Sequence, residues 1–159
     1  MTAVLLFGLG LGWNFSFVAA TAELADGRRY GAVASTLLPN VVGDSTPMEA
    51  LRTLVSALSI DDPDAADLSI EADRRKATRL VAQMPMVVAA YEAERRGHEL
   101  ADPDPKLGIA ANFLLQVTGQ PPSDRVAEIF DECLVLHADH TMNASTFTAR
   151  VIAATLSDM

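Results

Sequence analysis

Apolar residues recur at helical spacing from residue 46 onward. The first set falls three or four positions apart, at Met48, Leu51, Val55 and Leu58, which places its members on one side of a helix. Thr46 and Glu49 have the spacing of a capping box, and Pro47 takes the first helical position, where its missing N–H costs nothing. The polar run 61–64 ends this predicted helix in a loop.

A second helix is predicted from the cap Ser69 to Gly97, a natural C-terminal cap. Pro85 lies inside this span, and we expect it to kink the helix or to end it at Met84. Further helices are predicted over about 107–118, after Pro121-Pro122-Ser123, and from about Asn143.

The last predicted helix is rich in Ala and Ser, at Ala144, Ser145, Ala149, Ala153 and Ala154. Small side chains allow helices to approach closely, so we expect this helix at the centre of the packing. No strand pattern of any strength appears. The predicted fold class is all-α.

The amino-terminal segment has a different character. Residues 3–22 carry no charge, and about 20 such residues can span a bilayer as a helix. The alternatives are a buried apolar segment or a misassigned start. Residues 23–45 contain several glycines and a proline and are interpreted as a linker, with a short helix or strand near 30–38. The predicted organisation is therefore an apolar segment 1–22, a linker 23–45 and a helical domain 46–159.

Charge and cysteine content exclude several classes of protein. The formal net charge is −9, which argues against a general nucleic-acid binder. The single cysteine, Cys133, excludes an internal disulfide and a cysteine-rich zinc site. The basic cluster 74–79 is interpreted as a solvated helix face, with a phosphate or a partner chain as the alternative ligand.

Candidate chemistry is concentrated at residues 137–150. Three interpretations of its histidines stay open. Cys133, His137 and His140 are spaced to offer three metal ligands on one helix face, although no fourth ligand is evident. Alternatively, both histidines are core residues that bond to the backbone and to Asp139. The third interpretation is that one histidine donates a hydrogen bond to a small anion.

The run LHADHTMNASTFTARVIAATLSDM, residues 136–159, resembles citrate synthase of the bacterial and archaeal type. The similarity extends upstream through three further runs and covers about residues 46–159. These are PMEALRTLVSAL (47–58), RRKATRLVAQMPMVVAAY (74–91) and PDPKLGIAANFLLQVTGQPPS (103–123). The HADH…NASTFTAR motif is long and specific.

The resemblance implies an acyltransferase that condenses acetyl-CoA with oxaloacetate, with no cofactor beyond the coenzyme A thioester substrate. His140 corresponds to the family's oxaloacetate-binding histidine, and Asn143 and Ser145 to residues that orient catalytic histidines. His137 and Asp139 are implied to be framework residues around them. Thr141 departs from the family, which usually has Glu there.

The resemblance also implies a homodimer, or association with a complementary fragment, in the cytoplasm, against the alternative of membrane association through residues 3–22. The family's catalytic His and Asp are expected beyond residue 159, so the chain is expected to be inactive alone. A non-enzymatic helical remnant or interaction module is the alternative function. A 2-methylcitrate synthase, which uses propionyl-CoA, is the alternative activity.

Overall fold

The structure, a computed structural model, describes residues 31–43, 45–138, 141 and 143–155. Within these ranges the secondary structure consists of six α-helices and no strand, which confirms the all-α class. The helices are α1 (Ala32–Val42), α2 (Pro47–Asp61), α3 (Ile70–Arg96), α4 (Ile109–Thr118), α5 (Asp124–Ala138) and α6 (Ala144–Ala154).

The core lies where α1, α2 and α3 meet. Its buried members are Ala34, Leu38, Leu54, Ala57, Leu58, Val87 and Ala90. Helix α1 falls inside the predicted linker 23–45, so residues 32–42 are part of the packed body and not a connection. The short helix expected near 30–38 is the part of that prediction which the structure retains.

The ends of α2 and α3 follow the predicted caps. Thr46 Oγ1 accepts from the Glu49 amide at 3.4 Å, and the Thr46 amide donates to Glu49 Oε2 at 2.8 Å, which completes the capping box. Ser69 Oγ accepts from the Ala72 amide at 3.2 Å. Gly97 ends α3 at φ 70°, a left-handed conformation that favours glycine.

Pro85 does not end its helix. Helix α3 runs unbroken from Ile70 to Arg96, so the expected end at Met84 is wrong. The reason is tertiary packing, because Met86, Val87 and Ala90 are buried beyond the proline. Their burial offsets the free-energy cost of the backbone hydrogen bond that Pro85 cannot donate.

Helix α6 is not at the centre of the packing. It contains no buried residue, and its large apolar side chains are exposed. Composition alone suggested close packing, but no other described helix packs extensively on α6. That prediction is wrong for the described part of the chain.

No described helix is both long enough and apolar enough to cross a membrane. The segment 3–22, for which a membrane helix is the hypothesis, lies outside the described residues.

Candidate functional site

The predicted site residues lie at the end of α5 and the start of α6. His137 belongs to the last turn of α5, Asn143 is the N-cap of α6, and Ser145 lies in the first turn of α6. Asp139 and His140 lie outside the described residues. The structure therefore places the two helix ends that flank His140, and the substrate-binding role of His140 stays a prediction.

His137 is exposed at the end of α5. Its Nδ1 lies 2.7 Å from the Cys133 carbonyl oxygen one turn earlier. Because a carbonyl oxygen only accepts, Nδ1 is the donor in this contact. The interpretation of His137 as a core histidine is wrong with respect to burial, although the expected bond to the backbone is present.

Asn143 acts as the predicted cap. Its Oδ1 accepts from the Thr146 amide at 2.8 Å, which satisfies one of the open donors at the start of α6. Ser145 is exposed one residue into the helix. The cap determines where α6 begins, and therefore places Ser145 in the first turn of the helix.

The metal interpretation stays untested. Among the described residues, no three His, Cys, Asp or Glu side chains are placed to hold a metal ion. Cys133 is exposed, but His140, the third ligand of the hypothesis, is outside the described ranges.

The basic cluster 74–79 is largely engaged by carboxylates of the preceding loop. Arg79 Nε donates to Asp62 Oδ2 at 2.8 Å, and Arg79 Nη2 donates to Asp62 Oδ1 at 2.6 Å and to Asp64 Oδ2 at 2.7 Å. Arg75 Nη2 reaches Asp64 Oδ1 at 2.7 Å. Hydrogen bonds from Arg75 and then Arg79 hold the pKa of Asp64 well below its usual range.

Lys76, in the same cluster, is buried and donates from Nζ to the Asp67 carbonyl oxygen at 2.8 Å. The predicted solvated face therefore holds for Arg75 and is wrong for Lys76 and Arg79. The acidic run 61–64, interpreted from sequence only as a helix end, is the signal that identifies the partners. Arg75 and Arg79 thus connect α3 to the loop before it, and binding of a phosphate or a partner chain at this face stays a prediction.

Sequence reasoning missed the contacts that connect α4 to α5 and to the loop before α4. The rings of Phe113 on α4 and Phe130 on α5 stack with centroids 5.4 Å apart and an interplanar angle of 8°. Nearby on α4, Asn112 is buried and binds the loop before the helix. Its Oδ1 accepts from the Asp104 amide at 2.8 Å, and its Nδ2 donates to the carbonyl oxygens of Asp104, Leu107 and Gly108.

The family model for the citrate synthase C-terminal domain matches residues 3–159. This match extends further toward the amino end than the resemblance over 46–159. Among curated proteins, the chain is 52% identical to a citrate synthase of Haloferax volcanii over 120 residues, which are 73% of this chain and 31% of the relative. It is 50% identical to citrate synthase 2 of Bacillus subtilis over 113 residues, which are 71% of this chain and 30% of the relative.

A 2-methylcitrate synthase of Mycobacterium tuberculosis is 39% identical over 132 residues, which are 83% of this chain and 33% of the relative. Among solved structures, citrate synthase from Pyrobaculum aerophilum superposes with a TM-score of 0.81 at 34% identity, covering 88% of this chain and 37% of that one. The chain thus spans about a third of the length of the relatives that it matches.

Proposed function

The chain belongs to the citrate synthase family, and on that premise we propose that it supplies the oxaloacetate-binding segment of an acyltransferase that condenses acetyl-CoA with oxaloacetate. The observation that carries the proposal is the HADH…NASTFTAR motif, residues 137–150. It begins in the last turn of α5 and continues through the cap Asn143 into α6. His140 is the proposed oxaloacetate ligand, with Asn143 and Ser145 as the residues that orient neighbouring catalytic groups.

The local chemistry supports this assignment. Nδ1 of His137 donates to the Cys133 carbonyl oxygen, and Asn143 caps the start of α6. A histidine can donate a hydrogen bond to the carboxylate or carbonyl oxygen of a small dicarboxylate, which is the role proposed for His140.

We propose further that these 159 residues alone do not form citrate. The resemblance identifies no counterpart among these residues for the family's catalytic His and Asp. Loss of a catalytic acid or base typically lowers the rate by several orders of magnitude.

The test is reconstitution. The purified chain is mixed with the part of the Haloferax volcanii citrate synthase that follows the matched segment, and CoA release from acetyl-CoA is followed with and without oxaloacetate. We expect turnover from the mixture and none from either piece. Turnover by the 159-residue chain alone, in a preparation free of host enzyme, contradicts the inactivity. No turnover from a mixture that forms a stable complex contradicts the proposed function.

A second activity, 2-methylcitrate synthesis, is favoured by the 39% identity to the Mycobacterium tuberculosis protein. It differs only in the acyl substrate. Repeating the reconstitution with the matching part of that protein, and comparing propionyl-CoA with acetyl-CoA, tests it. If both mixtures prefer the same acyl-CoA, this chain determines the preference. If the preference changes with the added part, the residues that determine it lie in that part.

A further inference from the structure

Helix α5, which leads into the site motif, is held by one side only. It contains no buried residue. Its half-buried positions recur at helical spacing and form a single stripe: Ala127, Phe130, Asp131, Leu134, Val135 and Ala138. Among the described helices its packing partner is α4, so α4 carries the placement of α5.

Within that contact, the stack of Phe113 on Phe130 is the one ring-to-ring contact in the described structure. Phe130 lies near the middle of α5, and the short connection 119–123 holds only the first end of the helix. His137 lies seven positions after Phe130, two turns along the same side. A change of tilt at Phe130 therefore moves His137 and the end of α5.

The other partner in the stack is itself fixed. Phe113 directly follows Asn112, which binds four backbone groups of the loop 104–108. Gln116, one turn later, is buried and donates to the Ala101 carbonyl oxygen at 3.3 Å. Asn112 and Gln116 thus bind one side of α4 to the loop before it, and Phe113 contacts α5 from a neighbouring side.

We propose that the Phe113–Phe130 stack is the joint between α4 and α5. It fixes the position of α5 relative to α4, and with it the position of the motif that begins at the end of α5. Phe130 is in this sense a positioning residue for oxaloacetate, a role that rests on the function proposed above. Neither phenylalanine belongs to the motif that identifies the family.

Hydrogen exchange on the full 159-residue chain, without substrate, tests the joint itself. We expect Phe130→Ala to accelerate amide exchange about tenfold in α5 and leave α2 and α3 unchanged, in line with the modest strength of an aromatic pair. Phe113→Ala should give the same pattern, and the double variant little more. Phe130→Tyr keeps the ring and should restore protection. Ile60→Ala on α2, at a side chain that is 69% exposed, is the control.

The reconstituted enzyme tests the positioning role. Phe130→Ala should raise the KM for oxaloacetate several-fold while the KM for acetyl-CoA stays unchanged, and Phe130→Tyr should reverse the effect. Unchanged exchange in α5, acceleration spread equally over α2 and α3, or equal changes in both KM values would overturn the proposal. A failure of reconstitution counts against the proposed function alone, because hydrogen exchange on the 159-residue chain tests the role of the stack without any turnover.

Discussion

At the scale of single residues, Asn112 organises a whole loop. It is buried, and its amide uses both oxygen and nitrogen to bind the backbone at Asp104, Leu107 and Gly108. The loop 98–108 has no regular secondary structure, so its backbone groups depend on such side-chain partners.

We expect Asn112→Ala to lower the free energy of unfolding by about 2–3 kcal/mol, because several partly buried backbone groups lose their partner together. Urea unfolding followed by circular dichroism measures it. Gln120→Ala, at an exposed position after α4, is the control and should change stability by less than about 0.5 kcal/mol. Equal effects of the two substitutions would show that the loop does not depend on Asn112.

The ion cluster at Arg79 predicts a pH dependence of stability. The pKa of Asp64 is lowered in the folded protein, first by Arg75 and then by Arg79. Its stabilising contribution is therefore complete above the unfolded pKa of about 3.9 and is lost as the pH falls through the lower folded value. Arg79→Gln should destabilise the protein at pH 7 by about 2–3 kcal/mol, because it leaves the buried Asp62 carboxylate without its partner.

The difference between wild type and Arg79→Gln should shrink as the pH falls below about 4. Thermal unfolding between pH 7 and pH 2 measures this. Arg125→Gln is the control, since the Arg125–Glu128 pair is exposed and 3.5 Å long and contributes little. A constant difference between wild type and Arg79→Gln across this range would contradict the assigned role of the carboxylates.

At the scale of helices, α1 begins with a cap supplied by another helix. Gly31 provides no side-chain cap, and the Val33 amide instead donates to Asp61 Oδ2 at 2.9 Å from the end of α2. A Cβ atom on Gly31 would collide with the Asp61 side chain. The start of α1 and the end of α2 are therefore coupled through this contact.

A double-mutant cycle tests the coupling. Asp61→Ala should cost about 1 kcal/mol through the lost cap, and Gly31→Ala should cost at least as much because its methyl group displaces Asp61. In the Asp61→Ala background, Gly31→Ala should cost less than it does in the wild type, because the carboxylate is gone and only the Cβ atom of residue 61 stays close to the added methyl group. Additive effects in chemical denaturation would refute the coupling.

The predictable features of this fold are those encoded within one turn of the chain. The Thr46 capping box, the Ser69 cap and Gly97 each act within four residues, and the structure confirms all three. The cap contributed by Asp61, the partners of Arg79 and the continuity of α3 through Pro85 depend on residues brought together by folding. At the site, local reasoning placed the cap Asn143 correctly, whereas the exposure of α6 depends on its neighbours.

At the scale of the whole molecule, α5 and α6 expose apolar side chains that a soluble helical body normally covers. These are Val126, Ile129, Leu136, Phe147, Val151 and Ile152. Contiguous exposed apolar surface drives association. The predicted homodimer of the family resemblance would use such a surface.

We expect the purified chain to self-associate at micromolar concentration. The paired substitution Phe147→Lys and Val151→Lys, on α6, should shift sedimentation toward the monomer, because each lysine replaces exposed apolar surface by charge. Thr148→Lys, on the same helix, is the control for charge alone. A sharp monomeric boundary for the unmodified chain would contradict this expectation.

His140→Ala in the reconstituted enzyme tests the proposed binding of oxaloacetate by His140. His98→Ala is the matched control, since His98 is the histidine outside the motif and its Nδ1 lies 3.1 Å from the Glu99 carbonyl oxygen. A hydrogen bond to a charged ligand is worth about 1.5–3 kcal/mol. We therefore predict that His140→Ala raises the KM for oxaloacetate at least tenfold, with an unchanged melting temperature of the 159-residue chain. A large loss of thermal stability with unchanged oxaloacetate kinetics would show that His140 is a structural histidine and not a ligand.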